Sequence, residues 1–443
     1  MRHILFSLTL FSLVFTACQQ NGSQTTEQTT APVVIPELLE RPTVISVPEE
    51  AEQVQKMYAD LSSKIEANSD DIKARLTLSE LFMQEARVSG EHGHYFPAAL
   101  TVLNAVLEEE QLDGGLTYRA MLNKASVLLS LHQFAEAKEI GEQALALNGY
   151  DAGIYGVLVD ANVELGNYEE AVKMADEMIS VRPDIRSYSR ISYLREIHGQ
   201  AEGAIEAMKL AVSAGYPGQE QTEWARLVLG DLYKEYGQLD KAEAQYKQAL
   251  VHRPNYPFAI AALAETEALK GNMEEAKALY QEAADLIPEV GFYMELAKIE
   301  QEQGNEEKAK ALTEEILVML ADDEASGHKM GLEYSEVHMD LKGDLDQALA
   351  YAKKEYESRP ENIDVNSRLA VIYYHRNEPD LAAQHLAKAR RTNSQNPELL
   401  CLDGLLQLKN ATDKTGGNQL IRSAFAANPN LDCSYCGEAR ELL

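Results

Sequence analysis

The chain has 443 residues, 25% of them charged and 45% apolar, a mixture that supplies ample core and argues against general disorder. Forty Lys and Arg stand against 71 Asp and Glu, leaving a net charge of −31. A polyphosphate needs a basic face, so no nucleic acid is expected as a partner, and the acidity reads as solubility or as attraction to a basic partner.

The opening segment, "MRHILFSLTLFSLVFTAC", has a positive start at Arg2, a short apolar run and the small residue Ala17 before Cys18. The run is too short to span a bilayer comfortably. Val14, Phe15, Thr16, Ala17 and Cys18 resemble the lipobox of bacterial lipoproteins, with Phe15 where that family more often has Leu. The resemblance implies removal of residues 1–17 as a signal peptide and acylation of Cys18. The protein would then be lipid-anchored in the bacterial cell envelope, on a periplasmic or outer face. An ordinary secretory signal that happens to contain a cysteine is the alternative. Residues 18–48, rich in Gln, Thr, Ser and Pro, read as a flexible tether. Residues 49–69 read as an N-terminal capping helix.

From residue 70 to 430 the sequence repeats. Gly166, Gly237, Gly271 and Gly343 are followed five residues later by Ala171, Ala242, Ala276 and Ala348, and seventeen later by Pro183, Pro254, Pro288 and Pro360. Gly199 with Ala204 and Gly304 with Ala309 keep the first offset, while His132 with Ala137 and Asn377 with Ala382 replace the glycine. Successive glycines from Gly166 to Gly343 are 33, 38, 34, 33 and 39 apart, a period near 34 with two short insertions. Glycine or asparagine closes a helix in a left-handed conformation. Alanine lets a second helix pack closely, and proline ends it. Each unit is thus helix, turn, helix.

This pattern resembles the tetratricopeptide repeat, most fully at Leu229, Gly230, Tyr233, Gly237, Ala242, Tyr246, Ala249 and Pro254. The resemblance implies an all-α fold, a right-handed superhelical solenoid of about ten units over residues 70–430, closed by a C-terminal cap at 431–443. It further implies a concave groove lined by the first helix of each unit. Registering the units on their turn residues places Asp160, Tyr193, Trp224, Asp231, Lys234, Phe258, Glu265, Lys298 and Tyr374 there. Trp224, the single tryptophan, equally suits packing between adjacent units. The acidic residues Asp160, Asp231 and Glu265 disfavour capture of a C-terminal carboxylate.

Other constellations carry less chemistry. "GEHGHY" puts Glu91, His92 and His94 close together, but no further His or Cys completes a metal site, and the segment reads as a polar turn in the first repeat. Pairs such as Glu169 with Glu170 and Glu274 with Glu275 suit helix starts. Cys433 and Cys436 form C-x-x-C without a strand pattern nearby; a local disulfide, a bridge involving Cys401, and free thiols all stay open. No catalytic residue, metal or cofactor is expected. The chain reads as a non-enzymatic scaffold binding a protein or peptide in its groove and a membrane through its lipid. The alternatives are a repeat arm or subunit of an envelope enzyme, a glycosyltransferase or metal-dependent hydrolase, and a structural assembly protein without a defined ligand.

Overall fold

The computed structural model describes residues 35–42, 45, 47–410 and 415–443, and Ile35–Leu443 form one compact unit. Cys18 and the expected signal peptide lie outside the described residues. No described helix is long and apolar enough to cross a membrane.

Helix α1 (Pro48–Ala67) packs on the first of ten helical hairpins among the described residues. Units one to three are α2 (Ile72–Ser89) with α3 (His92–Leu107), α4 (Gly114–Ser130) with α5 (Phe134–Leu147), and α6 (Ala152–Glu164) with α7 (Tyr168–Val181). Units four to six are α8 (Ile185–Ile197) with α9 (Ala201–Ala214), α10 (Glu220–Glu235) with α11 (Leu239–His252), and α12 (Pro257–Leu269) with α13 (Met273–Leu286). The seventh pairs α14 (Val290–Glu302) with α15 (Glu306–Ala325). In the eighth, α16 (Gly331–Glu336) runs into a π-helical turn, Val337–Leu341, and packs on α17 (Leu345–Ser358). The last two are α18 (Ile363–His375) with α19 (Pro379–Ala389) and α20 (Pro397–Asn410) with α21 (Thr415–Ala427), followed by the short α22 (Cys436–Arg440). The all-α solenoid is as expected.

The sequence features have the local causes assigned to them. Gly237 sits at φ 71°, and the N–H of Gln238 reaches back to the carbonyl of Tyr233 at 2.7 Å, closing α10. His132 and Asn377 hold the same conformation, φ 57° and 58°, without being glycine. Helices α7, α11, α13 and α17 each end two residues before their proline. Ala171, Ala242, Ala276 and Ala348 are fully buried. Gly230 has no room for a side chain, since an added Cβ would stand 2.2 Å from the Tyr246 ring. First helices begin on caps such as Asp71, Asp113, Asp151 and Asn362, whose side chains accept backbone N–H bonds. The longer spacings correspond to the Gly215–Gln219 connection after α9, and to the 20-residue α15 with the π-helical turn beyond it.

The stack coils tightly enough to touch itself. The α4–α5 turn meets the linker between units seven and eight, where His132 Nδ1 lies 3.0 Å from the Lys329 carbonyl and Gln133 Nε2 donates to the Gly327 carbonyl at 2.8 Å. The α6–α7 turn meets the next linker: Arg359 pairs with Glu164 at 2.5 Å, and the Ile363 N–H donates to Tyr168 Oη at 2.8 Å. Thr392 Oγ1 donates to the Ile197 carbonyl at 2.5 Å, and Asn428 Nδ2 to the Lys234 carbonyl at 3.3 Å. Gly166, Gly199 and Gly237 therefore have a second task. A Cβ there would lie 2.4, 2.5 and 2.8 Å from backbone atoms of Glu361, Asn393 and Ala427, whereas at Gly271, Gly304 and Gly343 it would meet open space.

The flexible tether expected through residue 48 is corrected from Ile35 onward. Leu39 N–H donates to Tyr95 Oη at 3.0 Å, and Tyr58 Oη donates to the Pro36 carbonyl at 2.9 Å. Arg41 is buried and holds both oxygens of buried Glu85, at 2.5 and 2.6 Å. Ile45 joins the core of Ile260, Ala264 and Ile287. Residues 33–47 are proline-containing but also rich in Val, Ile and Leu, and of these Ile45 supplies the apolar anchor while Arg41 supplies the buried ion pair.

Candidate functional site

The first helices of successive units enclose a cavity of about 1690 Å³. Six of the nine groove candidates line it: Trp224, Asp231, Lys234, Phe258, Glu265 and Lys298. Trp224 is 48% exposed and so is not interior packing. Phe258 stands edge-on to Tyr256 and Phe292, with centroids 5.7 and 5.8 Å away, extending an aromatic wall. Lys234 bridges Glu265 and, at 3.6 Å, Asp231, whose carboxylate also accepts a 2.8 Å bond from Tyr246 Oη. Burial opposes the Lys234 charge, but Glu265 and Asp231 outweigh it and hold the ammonium above its ordinary range. Lys298 is similarly shared among Glu295, Asp340 and Glu336 at 2.8, 3.7 and 3.9 Å.

The remaining three candidates stand apart from this lining. Asp160 is engaged bidentately by Arg190 at 2.5 and 2.8 Å. Tyr193 is 36% exposed. Tyr374 must be withdrawn as a partner contact. It is 5% exposed because the C-terminal cap covers it: its hydroxyl donates to Glu438 at 2.6 Å, and Tyr435 packs edge-on at 5.9 Å.

That cap also forms a wall. Cys433 and Cys436 are joined by a disulfide, Cys401 is a buried free thiol pushed up to about 12 by burial and Glu398, and Cys433, Ser434 and Tyr435 line the cavity. His375 Nε2 lies 2.8 Å from Ser434 Oγ.

Several residues escaped the sequence reading. Asp364 and Glu398 line the cavity, where Asp364 acts electrostatically on Glu196, and Glu235 on Glu398. Burial, then Glu235, Asp364 and Asp231, raises Glu196 to about 7; burial, then Glu235, Asp432 and Glu265, does the same to Glu398. The signal was available: Asp364 precedes Asn377 by the same thirteen residues that separate Trp224 from Gly237, and Glu196 precedes Gly199 by the three that separate Lys234 from Gly237. His92 lay in a segment read as a turn. It begins α3, and its ring is stacked 5.3 Å from Phe96 and lies 6.3 Å from His328, itself 6.4 Å from His132. His94 Nε2 instead lies 2.8 Å from the Glu37 carbonyl. Among the described residues no group of three or more His, Cys, Asp or Glu could hold a metal ion.

Sequence models described as the tetratricopeptide repeat match residues 128–195, 227–290 and 341–402. A curated relative, Cellulose synthase 1 operon protein C of Komagataeibacter xylinus, is 26% identical over 165 residues, 34% of this chain. The chain spans about 12% of the length of that relative. Among solved structures, the thermophilic repeat protein TTC0263 of Thermus thermophilus is 23% identical with TM-score 0.39, covering 44% of this chain and 99% of that one. PilW, a type IV pilus biogenesis factor, is 18% identical with TM-score 0.38, covering 45% of this chain and 92% of that one.

Proposed function

Because this chain is a tetratricopeptide repeat protein, a protein-interaction scaffold in kind, we propose that it is a non-enzymatic scaffold of the bacterial cell envelope that holds a protein or peptide in its cavity. The observation that carries this is Trp224, left 48% exposed on the wall of a concave site. Tryptophan is one of the residue types enriched among those that dominate binding energy at interfaces. A volume of about 1690 Å³ also exceeds the roughly 300–1,000 Å³ of small-molecule pockets, which supports an extended chain over a metabolite. The sequence around Cys18 supports lipid attachment, which would raise the local concentration of scaffold and partner at the membrane.

Crosslinking and pull-down from detergent-solubilised membranes test the cavity reading. A partner recovered with the wild type should fall at least tenfold with Trp224→Ala; unchanged recovery overturns it. Cys18→Ser should release the protein from the membrane fraction, and unchanged fractionation and mass would refute the anchor. The likeness to Cellulose synthase 1 operon protein C favours a second reading, in which the chain is a non-catalytic subunit positioning an envelope enzyme. Stoichiometric copurification of a catalytic polypeptide would select it.

A further inference from the structure

The cavity is not electrically neutral. Its lining carries ten carboxylates and only four Lys or Arg side chains. Three of those cations are engaged: Lys234 with Asp231 and Glu265, Lys298 with Glu295, and Arg368 with Glu336 at 3.5 Å. Asp364, Glu398 and Asp432 have no ion-pair partner among the described residues. Arg87 is the remaining cation, and it lies toward the opposite, aromatic part of the lining, where it acts on Glu220.

The aromatic part has its own character. Trp224 sits one helical turn from Glu220 on α10, with Tyr256 and Phe258 beside them in the lining. An exposed indole face next to a carboxylate suits the alkyl stem and charged head of a long cationic side chain, through cation–π attraction and an ion pair together.

Resting on the reading of this cavity as the partner site, we propose that its occupant is an extended peptide segment bearing several Lys or Arg residues. One cationic side chain would lie over Trp224 beside Glu220, and others among Asp364, Glu398 and Asp432. Charge complementarity carries the assignment, because an acidic or neutral segment would leave these carboxylates desolvated and uncompensated.

The test uses three fluorescein-labelled twelve-residue peptides with identical apolar positions and with Lys, Gln or Glu at the alternate ones. Affinity is measured by anisotropy, and unlabelled peptides are followed by the emission of Trp224. The Lys peptide should bind at least tenfold tighter than the Gln peptide, blue-shift the tryptophan, and weaken about tenfold in Asp364→Asn/Glu398→Gln. The same affinity is expected in Glu306→Gln/Glu307→Gln, which neutralises two exposed carboxylates on α15. Equal losses in both double variants would assign binding to general acidity and overturn the proposal, given unchanged circular dichroism. Equal binding of Lys and Gln peptides overturns the charge selection while leaving the cavity reading intact. If no peptide binds, the proposal falls, and the pull-down with Trp224→Ala decides separately whether the cavity is a partner site.

Discussion

Replacing His92 by Phe should remove an acid sensitivity built into the contact between turns of the solenoid. His92 starts α3, where a positive charge is disfavoured by the helix dipole, and it faces Phe96 and His328. The neighbourhood also holds His132, Asp323 on α15, the Lys329 carbonyl and Ser326, and Glu91 precedes His92 in the chain, but the charges that act on the His92 ring are those of His328 and His132. Burial, then His328 and His132, lowers the folded-state value of His92 from 6.5 to about 4. The neutral ring is therefore favoured by folding. Its contribution is complete above pH 6.5 and is lost as pH falls toward 4. At pH 5 the linkage amounts to about 2 kcal/mol, roughly thirtyfold in the opening equilibrium.

A local probe is needed, because Glu196, Glu289 and Glu398, raised to about 7, gain stability over the same descent in pH. Hydrogen exchange at the Lys329 amide, which donates to the Leu131 carbonyl across the contact at 3.3 Å, supplies one. After correction for intrinsic rates, wild-type protection should drop about thirtyfold more than that of His92→Phe between pH 7.5 and 5. The Phe ring preserves the stacking on Phe96. Parallel pH profiles for the two proteins would refute the argument.

Three further outcomes are expected. Gly271→Ala, strained only by its φ of 83°, should cost about 1–2 kcal/mol in urea denaturation, while Gly166→Ala should cost more, because its methyl would also collide with Glu361; equal costs would discount the inter-turn contact. Arg41→Ala leaves Glu85 buried and unpaired, so a loss of about 3–5 kcal/mol is expected, and a change under 1 kcal/mol would show the strap to be dispensable. Glu196→Gln should stabilise the fold by about 1–3 kcal/mol at pH 8 and by little at pH 4, since a raised carboxyl value penalises the ionised form only above it; a pH-independent effect would contradict this.

The repeat was legible because its determinants are local. Gly237, Ala242 and Pro254 act on their own hairpin, through a turn, a close approach and a helix end, and each leaves a periodic trace. Six of the nine groove candidates reached the inner wall on register alone. What stayed hidden arises between residues about 195 apart, such as His132 with Lys329 or Ile363 with Tyr168. These contacts depend on how far each hairpin rotates against the next, a small angle summed over five units. Asn362, Thr392 and Asn428 are ordinary linker residues by composition, yet each bonds to an earlier turn. Tyr374 failed as a groove residue for the same reason, since its register was right but the returning C-terminal segment occupied the space.

The strap of residues before α1 also decides how the protein bears load. A pull transmitted along the chain from its N-terminal side arrives first at Pro36 and Glu37, bonded to Tyr58 and His94, and then at Leu39 and Arg41, not at the end of a helix. Arg41 grips Glu85 of the first unit and, at 2.8 Å, Glu50, which is itself held by Arg253 of the fifth unit at 3.2 Å. Tension is thereby shared between two turns of the coil and acts on several bonds in parallel, so the hairpins need not unzip one after another from the first.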